Sequence, residues 1–249
     1  MSASSATLSA LRSRISHLEG HVQAHAVLPF GLPELDRRLP QGGLALGCLH
    51  EVAGSGAGAA DGAAAACFAA GIAARLPGQV LWCVTRADLF APGLAQAGLT
   101  PDRVIHVEAG DETSVLACME EGLRHGGLAA VVAEIGRLSM TASRRLHLAA
   151  KNTGTTGIAL RRWRWLADAD DFGQPTAAMT RWRVSERPSS ALPVPGLGRA
   201  LWLVELMRAR AGETFDLEVE ACDGTGHLGL PSPVANRPAT QAGRQYGLS

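Results

Sequence analysis

Glu51-Val-Ala-Gly-Ser-Gly-Ala-Gly-Ala-Ala-Asp61 joins an apolar run, Leu44–Val52, to an alanine-rich stretch at 60–76. A glycine-rich turn between a strand and a helix is where a phosphate-binding loop belongs, because glycines let successive backbone N–H groups turn inward toward an anion at a helix N-terminus. A working loop of this kind also needs a Lys for the β- and γ-phosphates and a Ser or Thr hydroxyl for Mg²⁺, closing as G-K-[ST]. Gly54, Gly56 and Gly58 supply the flexible backbone, but Ala59-Ala60-Asp61 stands where the closing triplet belongs. Ala60 brings no charge. Asp61 brings the wrong one: a carboxylate in the first helical turn gains about 0.3–1 kcal/mol from the dipole and free N–H groups a phosphate would otherwise use, and it repels a triphosphate. The expectation is a retained fold element without ATP hydrolysis, cofactor or metal.

A nucleotide site would also need an acidic residue at the end of a later strand, to hold Mg²⁺ or the attacking water. Leu128–Ile135 offers only Glu134, and Val80–Thr85 reaches no carboxylate before Asp88. Glu134 reads instead as a surface or ion-pair residue at a strand end.

Outward from the loop, short apolar runs alternate with helical stretches. After Leu44–Val52 and Val80–Thr85 come Val104–Val107, Leu128–Ile135 and Gly157–Leu160, separated by helical segments near 88–98, 112–125 and 139–152. Strands buried on both faces read as continuous apolar runs, and strand–helix alternation implies a parallel sheet with right-handed crossovers. Beyond a polar stretch at 161–177 lie three strand-like segments, 178–186, 200–207 and 214–221, with no long helix between them; they suit antiparallel strands at the C-terminal edge of the sheet. The predicted fold is therefore α/β, a mainly parallel sheet with helices on both faces. Ahead of it, Leu8, Leu11, Ile15, Leu18 and Val22 mark an amphipathic N-terminal helix. That divides the chain into an N-terminal helix (1–27), a core domain (28–235) and a C-terminal tail (236–249).

The chain's 249 residues, 47% hydrophobic and 18% charged, suffice for one core and exclude a disordered chain. Net charge is zero, so attraction to nucleic acid must come from local asymmetry. Residues 51–136 carry 10 acidic and 4 basic side chains, whereas 137–187 carry 10 basic and 4 acidic. The five cysteines form no CxxC pair, which points to reduced thiols and no structural zinc. His17, His21 and His25 recur on the N-terminal helix without a neighbouring carboxylate or Cys, and read as a polar face rather than a metal site. With no apolar run long enough to span a membrane and no secretory signal pattern, a cytoplasmic location is expected.

Leu28-Pro-Phe-Gly-Leu-Pro-Glu-Leu-Asp36, Gly42-Gly-Leu-Ala-Leu-Gly47 and Leu49-His-Glu-Val52 ahead of the glycine loop resemble, in that order, the way RecA-type recombinase cores begin. Gly157-Ile-Ala-Leu160, Ala178-Met-Thr-Arg-Trp-Arg-Val184 and Leu206-Met-Arg-Ala-Arg-Ala-Gly-Glu-Thr-Phe215 resemble the closing strands of the same core. Within that superfamily, a short chain without the loop lysine, with an N-terminal helix and a Thr-Arg-Trp-Arg strand, resembles the ImuA family. The resemblance implies a non-catalytic accessory factor of SOS-induced, error-prone translesion synthesis. Its implied partners are an ImuB-type inactive Y-family polymerase homologue and an error-prone C-family polymerase, with RecA, single-stranded DNA and further copies of the chain as additional candidates. The alternative is a SulA-like cell-division inhibitor, also RecA-like without a working loop, binding a tubulin-like division protein.

In RecA-type cores the loop after the strand matching 157–160 reaches toward single-stranded DNA, and here it reads Arg161-Arg162-Trp163-Arg164-Trp165. Cations interleaved with aromatics suit a single strand, Arg neutralising phosphates and Trp stacking on bases. Arg137, Arg144, Arg145 and Lys151 could extend that basic face. The opposing reading turns Trp163 and Trp165 into a core or partner pocket while the arginines face water, and a third makes the patch a protein–protein interface. Arg181, Trp182 and Arg183, in mid-strand, read as structural.

Overall fold

A computed structural model describes residues 26–56, 58–163, 166–189, 196, 198–210 and 212–231. The expected N-terminal helix up to residue 25, its three histidines and the C-terminal tail (236–249) lie outside the described residues, and Val27, placed at the end of that helical segment, begins a strand instead.

A small antiparallel ribbon, β1 (Val27–Leu28) with β2 (Leu44–Ala45), precedes the main sheet and encloses helix α1 (Pro33–Asp36). The main sheet has eight strands. In chain order they are β3 (Leu49–Gly54), β4 (Val80–Val84), β5 (Val104–Glu108), β6 (Ala130–Ile135), β7 (Thr156–Arg161), β8 (Thr180–Arg187), β9 (Leu201–Ala209) and β10 (Phe215–Glu220). Their spatial order is β10-β9-β8-β3-β7-β6-β4-β5. From β8 to β5 every neighbouring pair is parallel, and β9 and β10 continue antiparallel past β8, as the absence of helices there led us to expect.

Helices α2 (Ala59–Ala74), α3 (Ala91–Gln96), α4 (Glu112–His125) and α5 (Met140–Thr153) cover the two faces. Alternation along the strands sends side chains to two separate cores. Val52, Trp82, Val84, Val132, Ile158, Leu160, Trp182 and Val184 meet α2 on one face, while Leu49, Cys83, Val131, Ala133, Ile135 and Ala159 meet α4 and α5 on the other. The methyl side chains of α2 let it approach the sheet closely, and Trp182 closes that core against Phe30 (5.6 Å), Phe68 (5.7 Å) and Phe215 (6.1 Å). The structural role expected of Trp182 is what the packing shows.

Helices α4 and α5 start and stop where their sequences dictate. The Asp111 carboxylate accepts Ser114 N–H and the Ser139 hydroxyl accepts Ala142 N–H as N-caps. Gly126 and Gly154 take the left-handed conformation at the C-terminal ends (φ 73° and 81°). Among the described residues no helix is long and apolar enough to cross a membrane, and no cluster of His, Cys, Asp and Glu has the makings of a metal site.

All five cysteines are free thiols, and burial raises Cys48 to about 11 and Cys83 and Cys222 to about 12. Only the thiolate is the nucleophile, so at pH 8 about one Cys48 in a thousand is reactive, and fewer of the other two. Thiol-reagent titration at pH 8 is expected to label these three at least about a hundredfold more slowly in the folded chain than in denaturant. Equal rates would show that the cores are not closed around them.

Candidate functional site

The carboxyl ends of β3, β4, β6 and β7 open into a cleft of about 960 Å³, bounded by the glycine loop, the loops after β4 and β6, and Arg161–Trp163. This is the position where open α/β sheets bind ligands. The geometry of the glycine loop is preserved. A Cβ on Gly54 would lie 2.8 Å from the Asp61 carbonyl carbon and oxygen, so only glycine lets the strand end pass this close to the helix start. Beside the loop stands the chain's own acid. The Asp61 carboxylate reaches over Gly56, its Oδ2 3.2 Å from where a Cβ there would stand, and its Oδ1 accepts Glu186 N–H at 3.4 Å.

Glu134 ends β6 in the place expected of a metal-binding acid, and it is occupied on both oxygens. Trp82 Nε1–H donates to Oε1 (2.9 Å), and Arg162 Nη1 donates to Oε2 (2.5 Å). The same guanidinium grips Asp88 with both terminal nitrogens, each at 2.9 Å. Hydrogen bonding from Arg162 holds the Asp88 carboxyl below its ordinary value, and Asp88 in turn raises Arg162. One guanidinium of the chain therefore satisfies both carboxylates.

Behind it lies a second, enclosed network. Arg161 closes β7 with a fully buried side chain; it donates to Glu51 on β3 (2.7 Å), to the Gly136 carbonyl (2.8 Å) and to Asp171. Glu51, also fully buried, further accepts from Arg181 (3.0 Å) and from the Thr176 hydroxyl. Two carboxylates and two guanidiniums thus balance in the interior. Phe172 packs beneath both arginines, 5.7 Å from Arg161 and 5.1 Å from Arg181, and Trp163 tilts against it at 5.6 Å. Nearby, Glu112 Oε1 accepts Gly136 N–H at 2.8 Å and Asp171 accepts Leu138 N–H at 3.1 Å, so these backbone donors also face carboxylates of the chain itself.

These contacts correct the expected DNA surface. Arg161 is a buried ion-pair residue, because its strand position points it into the sheet–loop interior where Glu51 waits. Arg162 is partly exposed but doubly paired. Trp163 is half-buried and tilts against Phe172. Arg164 and Trp165 lie outside the described residues. Arg137 lines the cleft, whereas Arg144, Arg145 and Lys151 project from α5 into solvent, so the candidates do not form one continuous face. Arg181 and Arg183 are structural as expected, the latter pairing with Glu205 across β8 and β9 (2.6 Å). Glu134 is an ion-pair residue as read, though buried rather than at the surface.

A nucleotide triphosphate with Mg²⁺, which a RecA-type core implies, does not fit these residues. Ala60 stands at the lysine position, a carboxylate lies beside the loop, and Glu134, the strand-end acid, is paired with Arg162.

No protein-family model matches the sequence. Across 236 residues it is 40% identical to Protein ImuA of Caulobacter vibrioides strain NA1000 / CB15N, spanning 89% of this chain and 96% of that protein, with the same figures for Protein ImuA of a second strain. The chain belongs to the ImuA family. The fold of this ImuA-family chain is similar to the crystal structure of the RadB recombinase, with a TM-score of 0.57, 18% identity, and coverage of 82% of this chain and 100% of that one. At that identity the likeness concerns the fold alone, and it agrees with the RecA-like core expected from the residues.

Proposed function

We propose that this ImuA-family chain is a non-catalytic accessory protein of error-prone translesion synthesis, a RecA-like docking platform that neither binds nor hydrolyses ATP. One observation carries the reading: Arg162 pairs with both Asp88 and Glu134, while Ala60 and Asp61 stand where the loop would need a lysine and a hydroxyl. The cation that would meet the phosphates is gone and a carboxylate stands beside its place, while the strand-end acids that would meet Mg²⁺ are already paired with Arg162, so little is left to attract a Mg–nucleotide complex. Retaining the fold while neutralising the site suits a role in holding partners. An ImuB-type inactive polymerase homologue, working with an error-prone C-family polymerase in the cytoplasm, is the partner that family membership favours. Direct DNA contact through Arg161–Trp163 is not part of the proposal, since those side chains are engaged internally.

Affinity capture of the tagged chain from DNA-damaged cells tests the partner. Recovery of the ImuB-type protein, lost when the bait is heat-denatured, is the expected result. Recovery of a tubulin-like division protein without it would replace this reading with the SulA-like one.

A further inference from the structure

Away from the cleft, α4 and α5 pack side by side and leave a shallow groove of about 270 Å³, lined by Arg124, Arg145, Leu148, Ala149, Asn152 and Thr153. The groove has fixed walls. The Thr153 hydroxyl donates to the Leu123 carbonyl at 2.7 Å, tying the end of α5 to α4. Glu120, buried on α4, pairs through one carboxylate oxygen with Arg124 (2.5 Å) and through the other with Arg145. Both guanidiniums are thereby oriented in advance, yet their side chains stay 58% and 64% exposed. A guanidinium carries five N–H donors, so each has donors left to meet an incoming anion.

Leu148 lies in the same groove, 58% exposed. On α5, Arg144, Leu148 and Lys151 follow at i, i+4 and i+7 along one ridge, with Arg145 and Asn152 beside it. The exposed face is thus one apolar side chain ringed by Arg124, Arg144, Arg145 and Lys151, with only Glu120 and the exposed Glu121 close by as counter-charges on α4.

We infer that this α4–α5 face docks an acidic segment of a partner protein, in which carboxylates flank one apolar residue that seats on Leu148. Charge complementarity selects an anionic partner. The apolar centre selects a peptide over a nucleic acid, because a phosphate backbone has nothing to cover Leu148 and a single strand calls for aromatic platforms that this face lacks. Arg is among the residue types enriched in interface hot spots, and two of the arginines here, Arg124 and Arg145, are held in place by Glu120. The inference does not depend on which complex the chain serves.

Binding is measured by fluorescence anisotropy at physiological salt with three labelled peptides: Asp/Glu residues around a central Leu, the same with Ser in place of Leu, and the same Leu among neutral residues. A labelled oligo-dT is the fourth probe. The acidic Leu peptide is expected to bind at least about tenfold more tightly than either control peptide, and to lose about tenfold in affinity in Leu148→Ser and in Arg144→Glu, both exposed positions whose exchange spares the Glu120 pairs. Equal affinity for the Leu and Ser peptides, or binding unchanged in both variants, would overturn the inference. Tighter binding of oligo-dT, lost in Arg144→Glu but kept in Leu148→Ser, would assign the face to nucleic acid instead.

Discussion

Glu51→Ala lowers the thermal midpoint by roughly 6–20 °C, the shift that about 3–5 kcal/mol produces in a chain of this size. Glu51 is the carboxylate on which Arg161, Arg181 and the Thr176 hydroxyl converge in a fully buried position. Removing it leaves two guanidiniums inside the protein with Asp171 alone to balance them, and an uncompensated buried charge is among the most destabilising single changes known. Glu51→Gln keeps the shape and removes the charge, so it should fall nearly as far, which separates electrostatics from a packing void. The combined Glu51→Leu, Arg161→Met, Arg181→Met and Asp171→Asn variant should recover most of the loss, since uncharged groups of similar volume can replace a buried ionic network and the amide oxygen introduced at position 171 still accepts Leu138 N–H. Circular-dichroism melts decide it. A fall of less than about 2 °C in Glu51→Ala would mean that the network is not enclosed as described.

Arg162→Ala is expected to create a cation site where the native chain has none. Asp88 and Glu134 are bonded to one guanidinium, so their carboxylates stand close together with a cation between them. A unit charge about 4 Å away contributes about 4 kcal/mol at an effective dielectric of 20, and that repulsion toward an incoming metal disappears with the side chain. Trp82 donates to Glu134 at 2.9 Å, which places a sensitiser beside the site. Terbium luminescence excited through tryptophan should appear in Arg162→Ala with at least about tenfold higher affinity than in the native chain, and should vanish again when Glu134→Gln is added. Equal terbium signals in native and variant proteins would show that Arg162 does not fill a cation position.

Most of the fold could be read from the residues because each local signal agreed with the global one. The apolar runs Val80–Thr85, Leu128–Ile135 and Gly157–Leu160 fall on buried strands, the helical segments near 112–125 and 139–152 on α4 and α5, and the segments after 178 lack helices and so pair antiparallel. The site was half legible. Ala60 and Asp61 depart from the phosphate-loop pattern by their identity alone. What fills the vacated roles was not legible, because the pairs join positions 74 apart for Arg162 and Asp88 and 110 apart for Arg161 and Glu51. Arg161-Arg162-Trp163 looks like a nucleic-acid surface when its partners are unknown. A charged side chain at a strand end turns inward only if a counter-charge awaits it, and Glu51 gave no sign in its own neighbourhood of being that counter-charge. The groove beside Leu148 was likewise hidden, since Glu120 drew no notice until α4 and α5 were seen side by side.

The central claim is that the chain's own side chains hold the positions a Mg–nucleotide complex would need. Equilibrium titration of the native chain with labelled ATP and Mg²⁺ tests it most directly. No saturable binding is expected at physiological nucleotide concentration, whereas a micromolar dissociation constant, abolished by Glu134→Gln and accompanied by phosphate release, would contradict the account.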